Sequence, residues 1–548
     1  HTITQRMLEA EREFQSLLSK QSRDYESAVQ AYQVRRRKPP PSGFREWFNV
    51  ATKYNALLIE EFWDTIYEDL EPFQKIPPRV LQVVAQQATA ISGQNNVEAF
   101  WFRDGKPGTG CYDMNICLLF MQMLEAVAEE APGVIPDMRI PFNGFISPRI
   151  WPKWNDLTDM KWANETEGIP DARDTLIAWS QGMRSSGWES HGNNHALVKA
   201  ACPPDSLLGS QALPIESSSS GSSKSLAHMD GGFVSDYQQS KNPCHQPDLL
   251  HIHGSFVDPI YQLTTTDLFP LFSLQKIASI NREIVVPWPL YWSSHAEFFA
   301  PDTDTNWSQK DDKLFWRGGN SGGRVKSSNW KGFQRHRLVT LVNATETRAV
   351  LRERKCDTQW AMTDGMCRYL LGLGKSEAEG ILDVLERSVD IAFSAFGCSE
   401  QDPPRVDGIS GCEYLDGVYQ HREFVPLRSG QKNKYLVDID GNGFSGRFRS
   451  FLLSKSVPLK ASVYNEWHDS RLVPWKHFIP LDNRLGDLWS VLGYFMGFCF
   501  QHSGKDCASH DAEAMRIGLE GSEWAKNVLR KEDMTLYLMR LLLEYGRL

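Results

Sequence analysis

Between Lys434 and Pro480 the chain reads KYLVDIDGNGFSGRFRSFLLSKSVPLKASVYNEWHDSRLVPWKHFIP. Its chemistry-bearing residues gather around one tight turn, Asp440-Gly441-Asn442-Gly443. Ahead of the turn, residues 435–439 form an apolar run with the length and composition of a short buried strand. Behind it, Phe444, Phe448, Phe451 and Leu452 recur at helical spacing, with Arg447 and Arg449 interleaved, and residues 456–459 read as another strand. Strand, glycine turn, helix, strand is a βαβ unit. It presents backbone N–H groups at a helix N-terminus, where unpaired donors and the helix dipole favour a diphosphate. Arg447 would add a charge-assisted hydrogen bond and Ser445 a hydroxyl donor to phosphate or ribose. The spacing is not the dinucleotide fingerprint, and such a turn also serves as plain architecture, so both readings stay open on these residues alone.

A second glycine-rich stretch runs Leu314-Phe315-Trp316-Arg317-Gly318-Gly319-Asn320-Ser321-Gly322-Gly323, with Arg324 after it. Residues 313–316 read as a strand that delivers Arg317 to a loop. Two Asp-x-Asp pairs, Asp302/Asp304 and Asp438/Asp440, have the form that holds a divalent cation in many sugar transferases. The first sits in a polar loop and reads as solvated; the second straddles a strand end. His251 and His253 are predicted to share one face of an extended segment, but no carboxylate or cysteine stands nearby to complete a metal site.

The elements needed to position these groups are present. With 548 residues, 41% hydrophobic and 23% charged, the chain has room for two or three domains with proper cores. A net charge of −9 without a basic stripe excludes a nucleic-acid binder. No apolar run reaches the roughly 18 residues that would span a bilayer. Residues 1–38 read as one amphipathic helix ended by Pro39-Pro40-Pro41, and a second helix starts near Ser42 and carries Phe44 through Trp63. Beyond it, strands and helices alternate in two halves, which predicts two Rossmann-like domains facing a cleft. The expected division is a helical stem (1–80), an N-terminal Rossmann-like domain (81–282), a C-terminal Rossmann-like domain (283–505) and a C-terminal helix packing back across the domains (506–548). In more detail, residues 283–290 read as a strand, 334–343 as helix then strand, 377–393 as a helix, and 523–548 as the final helix. Residues 216–225 are low-complexity.

The chain has 10 cysteines without a C-x-x-C cluster, which favours disulfides over zinc. Cys356–Cys367 and Cys398–Cys412 are the expected pairs. With sequons at Asn164, Asn306 and Asn343, they favour the secretory pathway, and the start at His1 without a signal peptide reads as an excised ectodomain.

Lys434-Tyr435, the 440–448 turn, Ser456-Val457-Pro458-Leu459-Lys460, Glu466-Trp467 and Leu472-Val473-Pro474-Trp475 through His477 to Pro480 together resemble the C-terminal signature of glycosyltransferase family 90. That family holds the fungal capsule-associated transferases and the animal protein O-glucosyltransferases. The 314–323 stretch resembles its Tyr/Phe-Trp/Phe-Arg-Gly-Ser segment, and the likeness extends over roughly residues 130 to 545. The resemblance implies a GT-B fold, a UDP-sugar donor, a glycan acceptor and a metal-independent reaction without a cofactor. Arg317, Arg447 and the 441–446 backbone would then take the metal's electrostatic role. Gly318, Asn320, Ser321, Arg324, Gly443 and Ser445 would line the donor site, with Tyr435, Glu466 and Trp467 toward base and ribose. His253, Trp292, Asn143 and Arg149 would stand on the acceptor side. For the fungal branch it implies transfer of xylose, β-linked, to a mannose-containing glycan in the Golgi lumen, by a protein whose membrane anchor has been removed. O-glucosylation or O-xylosylation of a protein serine is the second choice.

The resemblance breaks at one position. The family's Asn-x-x-Asp-x-Pro-Arg carries the general base at its aspartate. Here the stretch is Asn143-Gly144-Phe145-Ile146-Ser147-Pro148-Arg149, and Ile146 cannot accept a proton. Asp230, Asp156 or Glu165 could substitute, the chemistry could differ, or the chain could be a silent relative that only binds glycan or nucleotide.

Overall fold

The computed structural model describes residues 2–90, 93–112, 114–158, 188–190, 193–211, 226–260, 263–293, 305–355, 361–397, 418–419, 421–498 and 508–548. Glu165, the Asn164 sequon, Asp302, Asp304, residues 216–225 and the pair Cys398–Cys412 lie outside these.

The single helix expected over residues 1–38 is two. α1 (Thr2–Leu18) and α2 (Tyr25–Arg36) are separated by a short extended piece in which Ser22 bridges Leu58. Asp24 restarts the helix by accepting from Ser27 N at 2.7 Å in a capping box. The next expected helix also divides. α3 (Phe44–Lys53) stops before Asn55, whose φ is +51°, and α4 (Asp64–Leu70) follows a short 3₁₀ turn. These helices are built into the body: Ile3, Met7 and Ala10 enter the core of the C-terminal half, while Tyr32, Trp47 and Trp63 enter that of the N-terminal half.

The N-terminal sheet uses β1 (Val97–Arg103), β2 (Lys106–Thr109), β3 (Met138–Asn143), β4 (Phe272–Ser273) and β5 (Ile284–Val285) in the order β5-β4-β3-β1-β2. β3, β4 and β5 run parallel, whereas β1 pairs antiparallel with both β2 and β3. This sheet is therefore mixed. The reason is local: Asp104-Gly105 joins β1 to β2 with positive φ at both residues (51° and 71°), the hairpin geometry that Asp-Gly favours. The strand expected over 283–290 shortens to β5, because Pro287 and Pro289 cannot donate to a ladder and Pro289–Trp292 turns helical.

The C-terminal sheet is wholly parallel. It comprises β6 (Asp311–Gly319), β7 (Val389–Ala395), β8 (Asn433–Ile439), β9 (Val457–Ala461) and β10 (Ile479–Pro480) in the order β7-β6-β8-β9-β10. Leu314, Trp316, Tyr435 and Val437 point into one core layer with helices α5 (Gln334–Leu341) and α6 (Lys375–Ser388); Phe315, Leu436 and Phe451 pack on the other face. Residues 342–343 are not a strand: Asn343 caps a further helix (Ala344–Glu353) through Thr345 N at 2.9 Å.

The last expected helix is again two, Asp511–Val528 and α7 (Lys531–Tyr545). α7 lies in the N-terminal core, where Trp47 Nε1 donates to Leu536 O at 3.1 Å. A short ladder, Ile277 opposite Tyr464 and Lys276 opposite Asn465, also ties the halves. Disulfides join Cys111 to Cys117 and Cys202 to Cys244. Cys367 is also disulfide-bonded. Among the described residues no helix is long and apolar enough to cross a membrane.

Candidate active site

In chain order the C-terminal sheet runs 2-1-3-4-5, an order whose direction reverses between β6 and β8. In open α/β sheets, ligands bind outside the carboxyl ends of the strands at that switch point. Here those ends carry the two glycine-rich stretches, 318–323 and 440–446.

The two stretches interlock. Asn442 Oδ1 accepts from Gly322 N (2.9 Å) and Gly323 N (3.1 Å). A β-carbon at Gly318 would stand 2.7 Å from Arg447 Nη2, and one at Gly441 would stand 2.8 Å from Arg335 Nη2, so glycine is what lets two guanidinium groups approach the backbone. Arg335 donates to Asp440 O (2.9 Å), Gly319 O (3.0 Å) and Ser321 Oγ (2.7 Å). Burial, and then the neighbouring Arg447 charge, lower its pKa to about 9. Ser445 Oγ is buried with no hydrogen-bond partner among the described residues. Two cations thus meet at the glycine-rich stretches, and the unsatisfied Ser445 hydroxyl belongs to the same turn. The nearest carboxylate, Asp440, is already committed to Ser462 Oγ (2.8 Å), Val463 N (2.8 Å) and His253 Nε2 (3.2 Å). Asp438 is likewise engaged, by Lys460 Nζ at 2.8 Å.

The helix behind the turn is shorter than its apolar spacing predicts. It spans Phe448–Leu453, because residues 440–447 are spent on the turn. Six residues sum to a weak dipole, so the guanidinium groups carry more of the positive field here than the helix does.

The N-terminal half supplies the facing wall. Asn143, at the end of β3, donates to Ser147 O (2.9 Å) and Ser273 Oγ (3.1 Å) and accepts from Phe145 N (3.0 Å), which shapes the 143–149 loop. Arg149 is buried beneath it, donating to Leu263 O at 2.9 Å and Asn96 O at 3.2 Å. Ser147 Oγ donates to Asn442 O at 2.9 Å, and Gln275 joins Ile146 O to Phe444 N across the two halves. Ile146 itself abuts Gly443. The cavity at this junction, lined by Ser147, Ser255, Gly322, Asn442 and Tyr464 among others, holds only about 10 Å³ and has no carboxylate in its lining.

The remaining candidates lie as follows. Arg317 projects to the opposite face from Trp316 and pairs with Asp390 at 2.5 Å, as alternation along a strand requires. Tyr435 lies near the start of β8, beside Trp307 and far from the strand's carboxyl end. Trp292 is packed under α7, donating to Thr535 Oγ1 at 3.0 Å with Lys531 Nζ over its ring at 3.7 Å. Asn320 is buried and accepts from Gly397 N at 2.8 Å. Arg324 is held by Asp258 Oδ1 at 2.9 Å. Glu466 and Trp467 are buried, Glu466 in a chain of charges with Lys460 (3.4 Å) and His468 (3.5 Å). His251 is in a helical turn, not an extended segment, and His253 alone reaches the glycine turn. Of the substitute bases, Asp230 is exposed and paired with Arg6 at 2.6 Å, and Asp156 is exposed on a short helix (Trp154–Thr158). Sequence reasoning missed Arg335, Gln275 and Asp258. The basic run Gln334-Arg335-His336-Arg337 could have pointed to the first; nothing in the sequence points to the other two.

A group of three possible metal ligands, Glu98, Cys111 and Cys117, comes together among the described residues, but the two sulfurs are bonded to each other.

Residues 415–548, which carry the turn, match the model of glycosyl transferase family 90. Protein O-glucosyltransferase 3 of Mus musculus is 32% identical over 116 residues, 21% of this chain and 21% of that protein. Protein O-glucosyltransferase 2 of Danio rerio is 31% identical over 118 residues, 21% of each. Protein O-glucosyltransferase 1 of Homo sapiens is 30% identical over 119 residues, 21% of this chain and 27% of that protein. The chain thus matches these relatives over about a fifth to a quarter of their length. The matched segment contains β8, β9, Arg447 and the buried Ser445, and ends with α7.

Proposed function

We propose that the chain is a glycosyltransferase that takes a UDP-sugar at the β6/β8 switch point and transfers the sugar to a glycan. The observation that carries this reading is the approach of Arg447 and Arg335 to the two glycine-rich stretches, one of which holds the buried, unpartnered Ser445 hydroxyl and lies in the segment matched by the family 90 model. A departing diphosphate needs charge stabilisation where negative charge develops, and preorganised guanidinium and hydroxyl donors supply it without a metal. Asp440 has partners on both carboxylate oxygens, which supports a metal-independent reaction. The fold is read as GT-B, with the two sheets on either side of the cleft. Entry of a nucleotide sugar requires the Ser147–Asn442 and Gln275–Phe444 contacts to part, a hinge motion of the kind that commonly gates such sites.

UDP-xylose is our first choice of donor, on the resemblance to the fungal branch, with a mannose-containing acceptor. UDP-glucose is second, on the names of the matched relatives. The secretory lumen fits the disulfides, and a Golgi location rests on the resemblance. A second reading, a relative that binds donor without transferring, is favoured by Ile146 at the expected base position.

The test is UDP release from a panel of UDP-sugars, with and without a mannose oligosaccharide, in EDTA and then in Mn²⁺. Acceptor-stimulated release in EDTA supports the transferase. UDP binding without release from any donor supports the silent relative. Absence of UDP binding overturns both.

A further inference from the structure

The sequon Asn343-Ala344-Thr345 stands where α5 gives way to the helix Ala344–Glu353. Its asparagine is engaged through one atom of the amide only. Oδ1 accepts from Thr345 N at 2.9 Å and from Glu346 N at 3.4 Å, satisfying two of the donors that a helix start leaves open. The carboxamide is planar, so holding Oδ1 toward the helix turns Nδ2 away from it. Nδ2 has no hydrogen-bond partner among the described residues and faces solvent; Asn343 is half-buried and Thr345 exposed. We propose that Asn343 is a site of N-linked glycosylation, holding its helix with Oδ1 and carrying a glycan on Nδ2.

The chemistry leaves the cap intact. Nδ2 forms a bond to C1 of an oligosaccharide delivered on a lipid diphosphate, the C1–O bond to the diphosphate breaks, and Nδ2 gives up one proton. Oδ1 takes no part, so glycan and cap coexist on one side chain. The other described sequon is a poorer acceptor. Asn306 is exposed, but folding buries Trp307 at the sequon's centre, beside Tyr435 and donating to Asp511 Oδ2 at 3.0 Å. The place of Asn343 in the fold also suits a bulky polar group. α5 starts at the glycine turn, where Gln334 and Arg335 donate to Asp440 O at 3.0 and 2.9 Å. Its 8 residues then carry the chain about 12 Å back along the sheet, away from the carboxyl ends of the strands. A glycan on Asn343 therefore leaves the switch point open. The proposal rests on the secretory-lumen reading and is independent of any transferase activity.

The experiment directs the full chain to the secretory lumen of a eukaryotic host and maps its peptides by mass spectrometry. Glycans are released by an amidase in heavy-oxygen water, and disulfides are read from an unreduced digest. The expected result is a glycan on the peptide that carries Asn343 in most copies of the chain. Thr345→Ala should abolish it, because the sequon hydroxyl is lost while the backbone N–H at 345 still reaches Oδ1. Asn343→Asp should abolish it too and keep the cap. Asn343→Ala removes both, and should speed hydrogen exchange in the first turn of the helix Ala344–Glu353 about fivefold. A bare Asn343 in a chain whose Cys111–Cys117 and Cys202–Cys244 disulfides have formed would overturn the proposal alone. A bare Asn343 with free thiols at those positions would overturn the secretory reading with it. Equal loss of first-turn protection in Thr345→Ala and Asn343→Ala would refute the division of roles between Oδ1 and Nδ2.

Discussion

Ile146 closes on Gly443 where the two halves meet: a β-carbon at Gly443 would stand 2.7 Å from Ile146 Cγ1. Gln275 crowds the same point. Gly443→Ala must therefore displace the facing loop or the turn. We expect it to lower UDP affinity about tenfold or more, and Ile146→Ala added to it to recover part of the loss. Calorimetric titration of the single and double variants with UDP measures this, because neighbours that share one clash do not act additively.

The same contact makes position 146 the place to restore a base. Ile146→Asp puts a carboxylate beside the glycine turn, and general-base assistance is worth about 10²–10⁴ in rate. Acceptor-dependent UDP release should rise by about a hundredfold. An unchanged rate would mean that the native protein already has a base elsewhere.

Arg447 and Arg317 should separate cleanly. Arg447 stands against Gly318 at the switch point, whereas Arg317 is engaged with Asp390 on the other face. Arg447→Ala should weaken UDP binding about 10- to 100-fold, the usual worth of a hydrogen bond to a charged group. Arg317→Ala should leave UDP affinity within about twofold. Equal losses in both would reject the assignment.

Glu283 predicts a pH dependence. Burial pushes its carboxyl up to about 7, and Arg149 N and Ile150 N, in and just after the facing loop, both donate to it. A carboxyl whose folded pKa is raised holds its proton better in the native than in the unfolded state. Its contribution is present below about pH 4.5 and is lost as pH rises toward 7, on the order of 3 kcal/mol at about 1.4 kcal/mol per unit. Denaturation midpoints between pH 4.5 and 7.5 should show this fall, and Glu283→Gln should flatten it.

Arg540 holds α7 to the N-terminal half. It is fully buried and donates to Glu60 Oε1 (3.1 Å) and Tyr67 Oη (2.9 Å). Arg540→Ala leaves Glu60 without that partner, so we expect a loss of about 3–5 kcal/mol in urea unfolding.

Short-range pattern was sufficient for much of the C-terminal half. Residues 435–439, the glycine turn and residues 456–459 read directly as β8, the turn and β9, because apolar runs bounded by glycine specify strands locally. The split of the N-terminal helix at Ser19–Asp24 was less legible, since the amphipathic stripe continues through it. What breaks the helix is Ser22 pairing with Leu58, a contact from elsewhere in the chain.

The sequence by itself determined the glycine-turn motif, the family likeness, the parallel C-terminal unit and the missing aspartate at Ile146. The tertiary structure alone decided which polar groups meet. Strand alternation set Arg317 against Asp390, strand direction put Tyr435 near the start of β8, and α7 covered Trp292. Arg335 and Gln275 arrived at the turn from separate elements. Local sequence specifies the backbone over a few residues. The convergence of charges at a switch point depends on strand order, which is set by burial across the whole sheet.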